Sequence, residues 1–257
     1  MLLRSISKHL QAQNWFAVCL DFLIVIIGVY IGIQAANWNE ESRQAQKAKS
    51  LVQRMTIDLE NDQQVMQSLI DYKAVVRNYG KTAIAGFAAD NDAVSDEQFV
   101  ISAYQASQVV LPWSYSSAYS ELINSGTLDL VENSDLKTMI LGYYSNAWAK
   151  NTNTTMVAPY RENIRRAIPD VIQDRVRNEC GDILMPVAAS IGATLPTTCD
   201  LDLPDELFRE VAQYLRTQSD LLLDLNFQMA VYHIQVNNLT AQINEAQALV
   251  DAIAMAR

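Results

Sequence analysis

The stretch Leu222–Ile253, LLDLNFQMAVYHIQVNNLTAQINEAQALVDAI, decides the fold class. Its apolar residues recur at alternating intervals of three and four, the spacing of a helix that packs along one face in a coiled coil or helical bundle. Pro204, followed by two acidic residues, marks the start of this terminal segment. The ten positions, called the inner stripe below, are Leu222, Leu225, Met229, Tyr232, Val236, Leu239, Ile243, Ala246, Val250 and Ile253.

The rest of the chain also favours long helices. It contains 8 glycines and 6 prolines, where average usage in a chain of this size gives roughly 18 and 13. A second helical stripe with polar interruptions runs from Leu51 to about Gly80 and matches the terminal helix in length. Antiparallel packing of these two helices is the economical arrangement, and the strand signal is poor throughout. The predicted fold class is therefore all-α, a long-helix antiparallel bundle.

Shorter helices are expected between these two. A loop is predicted over Lys81–Val94, and the capping-box pattern Ser95–Gln98 then starts a helix that ends near Val110. Gly126 stands where a C-terminal cap belongs. Further helices are predicted over Ser116–Asn124 and from Asn133, the latter broken near Pro159 and Pro169.

The segment Phe16–Ala36, FAVCLDFLIVIIGVYIGIQAA, predicts a transmembrane anchor. At about 1.5 Å per residue it reaches roughly 31 Å, close to the thickness of the hydrocarbon core. Trp15 and Trp38 flank it, where amphipathic rings favour the membrane interface. A cleaved signal peptide is the alternative, but the apolar run is long and a helical pattern continues beyond it.

Three regions follow from this anchor: an amphipathic lead-in over residues 1–14, a transmembrane segment over 15–38 and a helical extracytoplasmic domain over 39–257. The lysines and arginines on the two sides of the anchor do not decide its orientation. Cys180 and Cys199 bracket a loop that a disulfide would stabilise by roughly 3 kcal/mol. Disulfides persist in oxidising compartments, which predicts a cytoplasmic N-terminus and a periplasmic domain. Two unrelated thiols are the alternative.

Two features inside the anchor are candidate sites. Gly28, Gly32 and Ala36 form a row of small residues at four-residue spacing, which lets two membrane helices approach closely, although glycines are common in membrane helices. Asp21 is the one charge in the segment. An ionisable group inside a membrane is a functional candidate, and the alternative is that its carboxylate reaches the nearby interface.

A group of arginines in the soluble domain is a candidate anion site. Acidic residues are interleaved with these arginines, so a salt-bridged surface is the favoured interpretation. The five residues are Arg161, Arg165, Arg166, Arg175 and Arg177.

Composition and motifs exclude several classes of function. The net charge of −10 argues against binding nucleic acid through its phosphates. The two histidines, His9 and His233, do not form a zinc-ligand pair, and no phosphate-binding loop or nucleophile elbow is present. We therefore expect no cofactor, no metal and no catalytic residue; an enzyme that uses a pair of acidic residues is the alternative.

Two stretches resemble a widespread bacterial family of uncharacterised single-pass membrane proteins. Asp21–Glu40, which ends in the Asn37–Glu40 motif Asn-Trp-Asn-Glu, is similar to the anchor of that family, which usually has Glu at the position of Asp21. Tyr119–Tyr144, which includes Ser125-Gly126 and a Tyr-Tyr pair, is a second match. The resemblance implies a bacterial inner-membrane protein with a helical periplasmic domain. It implies no activity.

Three functions are compatible with these expectations. The first is a structural or accessory membrane protein that self-associates or docks on another membrane protein. The second is a periplasmic sensory or ligand-binding module, which would signal through a separate partner because the predicted cytoplasmic part is short. The third is an ion-coupled motor accessory that uses Asp21. The expected partners are the lipid bilayer and a second copy or another membrane protein.

Overall fold

A computed structural model describes residues 15–88 and 94–256. These residues are mostly helical, in agreement with the predicted class, and one β-hairpin is the exception. The predicted lead-in over residues 1–14 lies outside the described residues, as does part of the predicted loop before Ser95.

The first helix, α1, runs without a break from Trp15 to Phe87. Its buried face begins at Ala48 and continues to Gly86. The prediction that a loop begins at Lys81 is wrong, because the helix continues for two more turns. These turns pack against the second helix, where Gly86 lies directly against the buried ring of Phe99.

Three helices follow α1: α2 (Asp96–Gln105), α3 (Ser117–Asn124) and α4 (Ser134–Asn146). Ser95 caps α2 by accepting a hydrogen bond from the backbone N–H of Gln98 at 3.1 Å, as the capping-box pattern predicts. However, α2 ends at Gln105 and not near Val110. A 3₁₀ turn over Thr127–Leu130 separates α3 from α4, and Gly126 before it has a φ of 68°.

The helical stretch from Asn133 is interrupted earlier than predicted. Ala147 adopts a left-handed conformation with a φ of 44° and ends α4. A second 3₁₀ turn over Trp148–Lys150 follows it. Pro159 and Pro169 each immediately precede a helix, a position where a missing N–H is tolerated. The helices after Ala147 are α5 (Thr152–Thr155), α6 (Tyr160–Ala167) and α7 (Asp170–Cys180).

The hairpin lies inside the loop between the two cysteines. Strand β1 (Ile183–Val187) pairs antiparallel with β2 (Ser190–Thr194). A disulfide joins Cys180 to Cys199, whose Cα atoms are 5.7 Å apart. Tyr72 of α1 donates a hydrogen bond to Asp182 at 2.8 Å, which holds the base of the hairpin against the long helix.

Two helices complete the described chain: α8 (Asp205–Thr217) and α9 (Ser219–Met255). Helix α9 lies antiparallel to α1. Residues farther along α1 contact residues nearer the start of α9. Gln63 contacts Gln247, Lys73 contacts Gln235, and Gly80 lies against Met229. All ten positions of the inner stripe are buried or partly buried.

The hydrophobic core extends along this helix pair in two main clusters. The cluster nearer the apolar segment joins α1, α3, α4 and the C-terminal half of α9. The farther cluster joins the end of α1 with α2, α6, α7, α8 and the start of α9. The shorter helices therefore pack around α1 and α9 along most of the length of α9.

Candidate functional site

The apolar segment of α1 projects away from the core. Within residues 15–88 and 94–256, α1 is the one helix that is long and apolar enough to cross a membrane. None of the residues in its apolar stretch is buried against the rest of the protein. Large apolar side chains between Phe22 and Ile33 are 47–65% exposed. A core helix would bury such side chains, so this segment is not part of the protein's own core.

The candidate residues of this segment lie open on the helix surface. Asp21 and Ala36 are exposed, and Trp38 is 76% exposed. A Cβ atom added at Gly28 or Gly32 would meet no atom within 4 Å. The side chain of Trp15 lies outside the description.

Two of the five candidate arginines bind the segment just after the end of α2. Arg161 donates to the carbonyl of Ser107 at 2.6 Å. Arg165 donates to Oγ of Ser107 at 3.1 Å and to Oε1 of Gln108 at 2.9 Å, and its guanidinium lies 4.8 Å from the ring centre of Tyr104. The C-terminal end of a helix carries partial negative charge, so these cations stabilise α2.

The other three candidate arginines pair with acidic neighbours. Arg166 forms an ion pair with Glu162. Arg175 pairs with Glu179 at 2.9 Å. Arg177 pairs with Asp174, and it also donates to the hydroxyl of Tyr104 at 3.1 Å. All five arginines therefore have partners within the chain: three form ion pairs, and two bind uncharged groups.

A buried carboxylate, Asp62, joins α1 to two other parts of the domain. Its oxygens accept hydrogen bonds from the backbone N–H of Tyr115 at 2.6 Å, the hydroxyl of Tyr143 at 2.8 Å and the indole N–H of Trp148 at 3.1 Å. Asp62 is 1% exposed. Burial raises the pKa of this carboxyl, and the three hydrogen bonds act in the opposite direction.

One turn earlier on α1, Asp58 caps another helix. Its carboxylate accepts from the backbone N–H of Ala118 at 2.9 Å and from Oγ of Ser117 at 3.1 Å, at the first turn of α3. Ser116, at the N-cap position, makes no capping hydrogen bond with its own side chain. Asp58 therefore supplies the acceptor and the negative charge that a helix N-terminus favours.

Sequence reasoning did not single out this pair of aspartates. The available signal was Asp62 itself, which interrupts an otherwise apolar helical stripe. A buried polar group must have hydrogen-bond partners. However, the partners lie more than 50 residues away along the chain, so the stripe could not identify them.

A buried lysine occupies the contact between α1 and α9. Nζ of Lys73 donates to Oε1 of Gln235 at 2.7 Å and lies 4.8 Å from the ring centre of Tyr232. Among the described residues, no carboxylate lies within ion-pair distance of this amine. Burial lowers the pKa of Lys73 to about 8. The other end of the Gln235 amide donates to the carbonyl of Met156 at 2.9 Å.

Helix α9 carries a second line of residues opposite the inner stripe, called the outer stripe below. These residues also alternate by three and four, and all of them are exposed. Leu223, Phe227 and Ile234 are 66%, 50% and 51% exposed. The ten positions are Leu223, Phe227, Ala230, Ile234, Asn237, Ala241, Asn244, Ala248, Asp251 and Met255.

An open groove of about 460 Å³ lies where the buried face of α1 begins. Ala45, Lys49 and Val52 of α1 form one wall, and Leu136 of α4 and Ile253 of α9 form another. Its lining combines apolar and polar side chains.

Across the described ranges, no group of three or more histidine, cysteine or acidic side chains is arranged to hold a metal ion.

Comparison of the chain with protein-family models, with curated proteins and with solved structures finds no match. The resemblance of Asp21–Glu40 and Tyr119–Tyr144 to a family of membrane proteins therefore stays a prediction.

Proposed function

We propose that the protein is a membrane-anchored structural or accessory protein that self-associates or docks on a membrane complex. Its N-terminus is cytoplasmic, and its helical domain extends into the periplasm of a bacterial cell as a stiff stalk. The domain positions its surfaces at a fixed height above the membrane.

The unbroken course of α1 is the observation that carries this proposal. One helix contains both the exposed apolar segment and the central element of the domain. From residue 39 to its end at Phe87, α1 extends roughly 72 Å at about 1.5 Å per residue. Since no flexible linker separates the two parts, movement or contact of the membrane segment is transmitted directly to the domain.

The internal contacts of the domain also support a structural role. The buried polar groups, including Asp58, Asp62 and Lys73, bind neighbouring helices of the same chain. Arg161 and Arg165 do the same just after the end of α2. These groups hold a particular arrangement of helices.

Topology is tested with C-terminal fusions to the full chain. Alkaline phosphatase is active only in the periplasm, so its fusion should be active, while a fluorescent protein that folds only in the cytoplasm should remain dark. A bright fluorescent fusion together with an inactive phosphatase fusion would place the domain in the cytoplasm and contradict the proposal.

Association through the anchor is tested by native mass measurement in mild detergent. The double variant Gly28→Leu with Gly32→Leu places bulk on the row of small residues and should weaken close packing between membrane helices. The control is Val29→Leu with Ile33→Leu, which adds leucines beside this row. A wild-type protein that is a monomer with no bound membrane protein would contradict self-association and docking together.

A further inference from the structure

The outer stripe of α9 has the spacing of a coiled-coil contact, but no partner covers it in the described part of the chain. Its alternation by three and four is maintained from Leu223 to Met255 without interruption. A single exposed leucine is ordinary on a protein surface. A narrow line of such positions along a long helix is the pattern of a seam that receives one other helix.

The outer stripe lies on the side of α9 that faces away from α1. Its positions follow buried positions by two residues: Phe227 follows Leu225, and Ala241 follows Leu239. Two residues correspond to about 200° around a helix, so the two stripes lie on nearly opposite sides. One side of α9 is therefore packed within the chain and the other is free to pack outside it.

The absence of charge distinguishes the outer stripe from the rest of the surface. The chain has a net charge of −10, yet no charged residue occurs in the stripe from Leu223 to Ala248. Two copies of an acidic protein repel each other over most of their surface, and a line without charges is where they can meet. The positions that flank the stripe on one side are also uncharged: Asn226, His233, Thr240 and Gln247.

From this geometry we infer that a second copy of the chain packs against the outer stripe, with the two α9 helices parallel and in register from Leu223 to Ala248. The inference rests on the proposed function, because anchors in one membrane orient both copies in the same direction. A two-fold axis along the membrane normal then brings each position of the stripe against its own counterpart. The contact ends before Asp251, where two carboxylates would face each other.

Two asparagines within the stripe fit this arrangement. Asn237 and Asn244 are seven residues apart, so they occupy the same position of consecutive heptads. In a parallel pair the amide of each asparagine lies against the same amide of the second copy. The NH₂ group of one amide can then donate a hydrogen bond to the carbonyl oxygen of the other. A buried asparagine in a coiled-coil contact lowers stability and favours the register in which it meets another polar group. Asp224 lies next to Leu223, at the N-terminal end of the stripe. Its carboxylate accepts a hydrogen bond from Asn163 of its own chain at 2.7 Å.

Cysteine cross-linking of the full chain tests the register. In a Cys19→Ser background, Ala230→Cys, Ala241→Cys and Ala248→Cys are introduced one at a time and oxidised in native membranes. All three should form covalent dimers, because a parallel pair in register brings every stripe position against itself. Gln213→Cys on α8 and Lys81→Cys on α1 are exposed controls on other helices, and they should remain monomeric. Equal cross-linking of stripe and control positions would overturn the inference.

Native mass in detergent separates this inference from the proposed function. Ile234→Glu, which adds a charge to each side of the contact, should reduce the mass from that of two chains to the 28.8 kDa of one. Gln213→Glu, exposed on α8, is the matched control and should leave the mass unchanged. A dimer that survives Ile234→Glu but dissociates with Gly28→Leu and Gly32→Leu would overturn the inference and leave the proposed function standing. A monomer that carries a different membrane protein on this stripe would also overturn the inference and leave the proposed function standing.

Discussion

Lys73 of α1 and Gln235 of α9 meet in the interior of the domain, where Nζ of the lysine donates to the amide oxygen of the glutamine at 2.7 Å. The lysine is 6% exposed and the glutamine 1%. This contact interrupts the apolar packing of the two longest helices. It places a charged group in an environment that disfavours charge, so the stability of the helix pair should depend on pH.

Our first prediction concerns this pH dependence. Burial lowers the pKa of Lys73 to about 8 in the folded chain, compared with 10.5 for an ordinary lysine. Between pH 8 and pH 10.5 the unfolded chain binds more protons at Lys73 than the folded chain does. The contribution of Lys73 to the free energy of unfolding therefore becomes more favourable to folding as the pH rises. The free energy of unfolding of the wild type should therefore increase relative to Lys73→Met by about 1–3 kcal/mol between pH 7 and pH 10.

The change with pH is the quantity to measure in the full chain in detergent, followed by circular dichroism. The difference at a single pH also contains the lost hydrogen bond to Gln235. Lys81→Met, at an exposed position of the same helix, is the control and should show no such change. Parallel pH profiles for the wild type and Lys73→Met would contradict the prediction.

The second prediction concerns the buried carboxylate of Asp62. Asp62→Asn should lower the free energy of unfolding by about 1–3 kcal/mol, because the amide NH₂ cannot accept the hydrogen bonds that reach the carboxylate from three donors. Asp71→Asn removes an exposed acid of the same helix and should change stability by less than about 0.5 kcal/mol. Chemical denaturation of the two variants, followed by circular dichroism, gives the comparison. Equal effects would show that the Asp62 contacts contribute nothing.

The disulfide provides a third prediction. Replacement of Cys180 and Cys199 by serine should lower the free energy of unfolding by about 3 kcal/mol, since the bond closes a loop between residues 19 apart. Cys19→Ser, outside that loop, should leave the stability of the domain unchanged. Peptide mapping under non-reducing conditions, after thiols are blocked in intact cells, should recover the two cysteines as a linked pair. Alkylated, unlinked Cys180 and Cys199 in most molecules would disprove the pairing.

The long helices could be predicted from sequence because their apolar spacing is regular, but the hairpin could not. Its two-residue turn is Ala188-Ala189, and Ala188 has a φ of 53°. The sequence signal for such a turn is Asn-Gly or Asp-Gly, which supply a positive φ at little cost. Here the turn is imposed by its surroundings, because the strands are enclosed by the disulfide and packed on α1.

The candidate site shows a similar division. The apolar segment of α1 was predictable, because length and composition suffice to identify a helix that can span a membrane. The outer stripe of α9 was not, because the inner stripe already accounts for the apolar spacing of this helix, and Asn237, Asn244 and Asp251 interrupt the apolar character of the outer one. Leu223 and Leu225 are equally apolar, yet one is 66% exposed and the other is fully buried against the core.

The last prediction concerns Gly86, where the end of α1 lies closest to α2. A Cβ atom at this position would lie 2.3 Å from Cδ2 of Phe99 and 2.8 Å from its Cβ. The ring of Phe99 cannot move freely, because it is fully buried between the ring of Phe87 and the guanidinium of Arg216. Gly86→Ala should therefore lower the free energy of unfolding by about 1–3 kcal/mol, although alanine is the better helix former. Gly142→Ala is the matched control, since a Cβ there meets nothing within 4 Å and should raise stability by about 0.5–1 kcal/mol. Chemical denaturation of both variants gives the comparison, and stabilisation of the protein by Gly86→Ala would show that α1 and α2 are not in close contact at this point.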